Sequence, residues 1–205
     1  MFNANVMVTL STYFQEHTHI GGEEFMVLEG TFKDQFGEFP KGTYVRNPIG
    51  SKHSPWVDED GCTIMVKLLQ MAETGEGTTP LHVNVDQEKD SKGIETDYGT
   101  VLEMYSNAST GERVQMCWIK PNTLFTVDDL SKGGEELFIM EGELLLSSSD
   151  EAYQKWGWLR FPTDNGESER RSQLKAGSSG AQVLRKTGHL TEKALGMEKI
   201  QISED

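Results

Sequence analysis

Apolar residues fall in short runs along this chain, punctuated by Gly, Pro and Asn. Residues 6–13, 25–28 and 62–69 read as strands in the first half. Residues 100–105, 112–119, 137–140, 144–146 and 182–185 read the same way in the second. Short runs, β-branched and aromatic content and Gly-bearing turns predict an all-β sandwich or barrel. Only 191–201 has a weak helical period, and it reads as a tail. The polar stretch 73–98 reads as a boundary, with 82–85 as a connecting strand inside it. Residues 163–180 are polar and Gly-rich and read as a mobile loop, with Arg170 and Arg171 on its solvated face.

The pattern repeats. Residues 21–30 are GGEEFMVLEG and residues 133–142 are GGEELFIMEG, an offset of 112. TYVRNP at 43–48 echoes GWLRFP at 157–162, aligning Arg46 with Arg160 and Pro48 with Pro162 at an offset of 114. Two related units follow: 1–75 and 98–205, joined by a connecting segment over 76–97. At the first offset Met1 aligns with Arg113, so the first unit has no counterpart of 100–105. That sheet edge is filled by 82–85 or by a partner chain, or is left open. An unfilled edge invites pairing, which makes a homodimer an expectation.

Composition narrows the class. The chain has 205 residues, enough to bury a sizeable core. Its hydrophobic fraction of 36% leaves out 21 Gly, and with them the composition is that of a soluble globular protein. The net charge of −14 repels phosphate and argues against nucleic acid as a partner. No apolar run approaches the roughly 18 residues that a membrane span needs, and no Lys or Arg precedes Lys33 to form a signal-peptide n-region. Cys62 and Cys117 are the two cysteines, which excludes a disulfide framework and a CxxC zinc site. A soluble cytoplasmic protein without a membrane partner is expected.

The first unit concentrates metal-ligating side chains. His17 and His19 are two apart, so on a strand both leave the same face. Gly21 and Gly22 permit a tight turn, and Glu23 re-enters the next strand close by. His53 follows a further hairpin, in Pro48-Ile-Gly50-Ser-Lys-His53. Three imidazoles and a carboxylate suit one divalent ion: zinc, iron, manganese, nickel or cobalt. Glu24 belongs to the opposite face and is not counted as a ligand. Cys62 and Cys117 read as small buried hydrophobes rather than redox thiols. His82 and His189 read as surface or satisfied histidines. Tyr44 and Trp56 line a pocket or pack in the core, and Trp156, Trp158 and Phe161 are open to the same two readings.

These residues carry a family resemblance. His17-x-His19-x3-Glu23-x6-Gly30 resembles the first cupin motif, with one residue fewer between the second His and the Glu than the commonest form. Pro48-x-Gly50-x2-His53 resembles the second motif. The longer wording, HIGGEEFMVLEG at 19–30 and GTYVRNPIGSKHSP at 42–55, closely resembles the cupin domain of ChrR-type anti-sigma factors. The resemblance is strong over about 8–71 and weak over 98–188. It implies two cupin jelly-roll barrels, a bicupin, with a metal on His17, His19, Glu23 and His53. It also implies zinc as that metal, and a role in sensing oxidative stress. In the second copy the positions matching His17, His19 and His53 are Asp129, Ser131 and Glu167, and only Glu135 matches Glu23. All-oxygen ligands suit a hard cation, but without imidazole the second barrel reads as a degenerate cupin without metal, packed on the first and shaping its mouth.

Two functions are expected from this. The first is a regulatory, ChrR-like metal-binding module that senses stress or a small-molecule ligand and acts on a protein partner. ChrR-type proteins hold their sigma factor with a separate zinc domain bearing His and a CxxC pair. This chain has no CxxC, so a sigma factor is not expected to bind it directly. The alternative is a metal-dependent cupin dioxygenase cleaving diketone or hydroxyketone carbon–carbon bonds. It would hold iron on His17, His19 and His53, with Glu23 as a loose ligand or base. Metal identity separates the two, with zinc the first expectation and iron, manganese and nickel the alternatives.

Overall fold

A computed structural model describes residues 2–8 (backbone only), 12–71, 75, 77–127, 133–147, 151–163 and 173–190. The chain divides into two compact units, 1–88 and 89–205. Strands dominate both, with one short helix, α1 (Val85–Lys92), where they meet in sequence. Among the described residues no helix is long and apolar enough to cross a membrane.

The first unit holds β1 (Phe2–Val8), β2 (Thr12–Tyr13), β3 (His17–Thr18), β4 (Glu23–Asp34), β5 (Gly37–Pro40), β6 (Thr43–Asn47), β7 (Lys52–His53), β8 (Trp56–Val57), β9 (Cys62–Leu68) and β10 (Leu81–Asn84). Its main sheet runs β1-β9-β4-β6-β10. The β4–β5 hairpin and β8 extend it, and β3 pairs separately with β7. Every pairing is antiparallel, as expected where tight turns join successive strands. Phe25, Val27, Phe32, Val45, Ile64 and Val66 belong to one buried apolar cluster. Position 23 lies two before Phe25, so Glu23 shares that inward face.

The second unit holds β11 (Ile94–Thr96), β12 (Gly99–Ser106), β13 (Arg113–Ile119), β14 (Leu124–Thr126), β15 (Glu135–Leu146), β16 (Glu151–Gln154), β17 (Trp158–Phe161) and β18 (Gln173–Thr187). Its sheet runs β11-β12-β13-β18-β15-β16, with β14 on β18 and β17 on β15. Leu137, Ile139, Phe125 and Val183 lie in its buried cluster.

The two halves of the repeat fold alike. Glu24 faces Arg46 and Lys67 across its neighbours, and Glu136 faces Arg160 and Lys186. A bulge falls between Val27 and Glu29 in β4, and another between Ile139 and Glu141 in β15. β1 lies on β9 as β13 lies on β18. β12 then covers the far side of β13, whereas no described strand of the first unit covers β1. Segment 82–85, a candidate for that edge, contributes instead to β10 and pairs with β6.

Several sequence expectations are corrected. Residues 137–140 and 144–146 form one strand, β15, because bulges reset the apolar alternation without breaking the pairing. Residues 173–180 are not loop. They belong to β18, anchored by Leu174 and Ala176, both fully buried. Two small apolar positions among Lys, Ser and Gly carried too weak a period to show. Residues 164–172, including Arg170 and Arg171, and the tail 191–201 lie outside the described residues.

Candidate metal centre

The site is assembled by strand pairing. In the β3–β7 ladder His17 stands directly opposite His53. The next residue along, His19, is pinned to the 48–53 loop by two backbone bonds. Its N–H donates to the Ser51 carbonyl at 3.0 Å, and its carbonyl accepts from the Gly50 N–H at 2.8 Å. Gly50 has φ +84°, a conformation that favours glycine and lets the loop turn back onto His19. The three imidazoles converge, with one ligand atom from each within 4.8 Å of the others. His53 and His19 are buried, and His17 is exposed.

Outer hydrogen bonds fix how the rings face. His17 donates from Nδ1 to the Gln15 carbonyl at 3.0 Å. His53 donates from Nδ1 to Asp34 Oδ2 at 3.2 Å. Each ring therefore presents an Nε2 lone pair inward. The two Nε2 atoms are 3.2 Å apart. Two lone pairs at that distance repel unless a positive charge lies between them. Two nitrogens each about 2.0–2.1 Å from a tetrahedral ion would stand about 3.3 Å apart, so the spacing suits a shared metal. The buried His19 Nε2 has no hydrogen-bond partner.

Glu23 completes the inner surface. Its Oε2 lies 3.5 Å from His19 Nε2 and 3.7 Å from His53 Nε2. Asn47, opposite Glu23 in β6, donates Nδ2–H to the same oxygen at 2.9 Å. Burial, with His53 and His17 beside it, lowers the His19 imidazole to about 4, so it is in the neutral, ligating form at ordinary pH. Burial also raises the Glu23 carboxyl, against the lowering pull of Asn47 and of the histidines. Three imidazoles with an adjacent carboxylate form a donor set for a borderline divalent ion.

The structure thus brings together His17, His19, Glu23 and His53. Glu24 points to the opposite face, where it accepts from the Tyr44 hydroxyl at 2.9 Å and pairs with Arg46. Tyr44 is therefore a core residue rather than a pocket wall. Trp56 stacks with Tyr13 at 6.5 Å between ring centroids. Cys62 is buried and its thiol is pushed up to about 12, the behaviour of a packing residue. Cys117 is fully buried. His82 packs on Phe39, and the buried His189 pairs with Glu136 at 2.9 Å. Asp34 and Asn47, both touching the site, had no signal in the sequence. They reach it through hairpin and strand register rather than through motif spacing.

The second unit differs at the matching place. Glu135 is gripped by Arg185, Nε to Oε1 and Nη2 to Oε2, both at 2.9 Å and buried. Arg185 stands opposite Leu137, where the first unit has Val66 opposite Phe25. A guanidinium thus neutralises the only carboxylate retained from the motif. Asp129, Ser131 and Glu167 lie outside the described residues. Trp158 packs edge-on against Phe138, and Phe161 packs against the core.

Comparison with known proteins agrees with this geometry. Residues 4–72 match the profile of the ChrR Cupin-like domain family. No curated protein matches the chain in sequence. Among solved structures the chain resembles salicylate 1,2-dioxygenase from Pseudoaminobacter salicylatoxidans, in adducts with gentisate. The TM-score is 0.63 at 11% identity, over 95% of this chain and 69% of the other. Bacterial pirin YhhW from Escherichia coli, in complex with nickel(II), gives 0.62 at 12% identity over 90% and 80%. Oxalate decarboxylase from Bacillus subtilis, with its Mn(II) centres, gives 0.56 at 12% identity over 92% and 69%. At these identities the likeness is one of fold: this is an all-β protein with a jelly-roll-like fold.

Proposed function

We propose that this chain is a bicupin whose first barrel holds one divalent metal on His17, His19 and His53, with Glu23 as the fourth ligand. The observation that carries this reading is the pair of inward Nε2 atoms, 3.2 Å apart, beside a third buried imidazole nitrogen that lacks a hydrogen-bond partner. Bound there, the ion would supply Lewis acidity and exchangeable coordination positions. His17, the exposed one of the three histidines, is the ligand nearest to solvent. Among the described residues the second barrel carries no such centre, since its remaining carboxylate is committed to Arg185.

The family match over 4–72 supports a regulatory, stress-sensing role with zinc, in which a change at the metal alters the surface offered to a protein partner. A second reading, a metal-dependent dioxygenase acting on diketones or hydroxyketones, draws support from the exposed His17 and from the fold shared with a dioxygenase. A homodimer formed through the β1 edge fits either role.

Elemental mass spectrometry on protein purified without added metal tests the proposal. About one equivalent is expected in the native chain, and none after His17 and His19 are both replaced by Ala. Removing the ion should also lower Tm, because a ligand bound only by the folded state at a hundred times Kd contributes about 2.7 kcal/mol. Zinc favours the sensor. Iron, manganese or nickel with oxygen uptake on a diketone favours the enzyme. Unchanged metal in the double variant would refute the site.

A further inference from the structure

The inner ligands are held by side chains outside the motifs, and one of them has an unusual position. Asp34 ends β4, opposite Gly37 across the β4–β5 hairpin. Its carboxylate has no solvent exposure. Oδ1 accepts from the Phe36 backbone N–H at 2.7 Å, closing the turn. Oδ2 accepts from His53 Nδ1 at 3.2 Å. Among the described residues no Lys or Arg pairs with it: its one ion-pair partner is His53. A buried carboxylate without a cation nearby is costly. The compensating charge available to it lies through the His53 ring, at Nε2.

We propose that Asp34 is a positioning residue for the metal centre: it locks His53 in the Nδ1–H tautomer and makes its Nε2 a stronger donor to the ion. This rests on the metal reading above. An ionised carboxylate only accepts, so the proton of His53 must sit on Nδ1 and the lone pair on Nε2. The hydrogen bond from Nδ1 fixes the orientation of the ring, and a divalent ion on the far nitrogen neutralises the carboxylate in return. The turn bond from Phe36 holds Asp34 at its other oxygen, so the aim of Oδ2 is set by the hairpin rather than by His53 itself.

Asp34→Asn separates this role from turn closure. The amide oxygen can still accept from Phe36, but the charge is gone and an NH2 group faces His53. Affinity of the full chain for Zn(II) is measured by competition with a chromophoric chelator. Weakening by about 10–100-fold is expected for the variant. Asp58→Asn removes an exposed carboxylate that pairs with Lys33 at 2.8 Å. It should leave affinity within about twofold, since exposed pairs matter little. Long-range proton–nitrogen spectra of the metal-free native protein give a second readout that needs no variant to fold, and His53 should be protonated on Nδ1. An Nε2-protonated His53, or an Asp34→Asn variant that binds as tightly as the native chain, overturns the role of Asp34 alone. A native chain that takes up no zinc, manganese, iron or nickel overturns the metal reading and this proposal with it.

Discussion

Glu23 and Glu135 occupy the same place in a ten-residue repeat and do different work. The first meets imidazoles, the second a guanidinium. That His17, His19, Glu23 and His53 come together was legible in the sequence because their spacing sets them on neighbouring strands. Arg185 was not, since nothing in residues 182–185 marks an arginine as pointing inward rather than outward. Its role shows only through the register that sets it opposite Leu137, two residues along the same face from Glu135. The contrast yields a test. Glu135→Ala strips a buried guanidinium of its two hydrogen bonds to that carboxylate, and breaking such a pair costs about 3–5 kcal/mol. Replacing Glu135 and Arg185 together by Leu removes both charges and should be far milder, often near neutral for pairs of this kind. Urea unfolding of the three proteins measures this, with metal content followed in parallel. Metal should stay at the native level throughout. Loss of an equivalent in Glu135→Ala would mean that the second barrel holds an ion after all, and equal damage from the single and double changes would mean that the ion pair is not what the site depends on.

The elements were legible as strands and poorly legible at their ends. The reason is visible in β4 and β15. Both run for twelve residues and both carry a bulge at equivalent positions. A bulge shifts the inward face by one residue, so an unbroken strand looks in sequence like two short ones. Just past each bulge comes a glycine, Gly30 at φ +73° and Gly142 at φ +76°. A Cβ there would lie 2.2 Å from a carbonyl oxygen, that of Gly61 in one case and of Gly180 in the other. The obstacle is backbone and cannot swing away. Gly30→Ala and Gly142→Ala should therefore each destabilise the chain. The left-handed backbone alone costs about 1–2 kcal/mol for a residue with a Cβ, and relief of the clash adds to it. Chemical unfolding checks the magnitude. A loss below about 0.5 kcal/mol, the range of ordinary surface changes, in either variant would show that the bulge relaxes and that these glycines are not what shapes the strand.

At the scale of the whole molecule the repeat sets two related sheets in one chain, and chemistry distinguishes them. The connecting strand expected at 82–85 corresponds to β10 at Leu81–Asn84, whereas α1, which follows it between the copies of the repeat, was not placed by any periodic signal. The proposed metal centre depends on a short ladder of the first unit: β3 and β7 share only the His17–His53 and Thr18–Lys52 pairs. Such a short ladder opens at low cost when nothing ties it. An ion on His17, His19 and His53 would tie both strands and the loop between Pro48 and His53, because any opening that parts the strands must release it. Hydrogen exchange should report this directly. The amides of His19, bonded to Ser51, and of Gly50, bonded to His19, should exchange about a hundredfold more slowly when metal is present at a hundred times its Kd. The amides of β15 and β18 should not change, since Glu135 is held by Arg185 with or without the ion. Protection spread equally over β15 and β18 would place a binding event in the second unit. Absence of protection at His19 and Gly50, with metal bound, would mean that the ion sits somewhere other than among the three histidines.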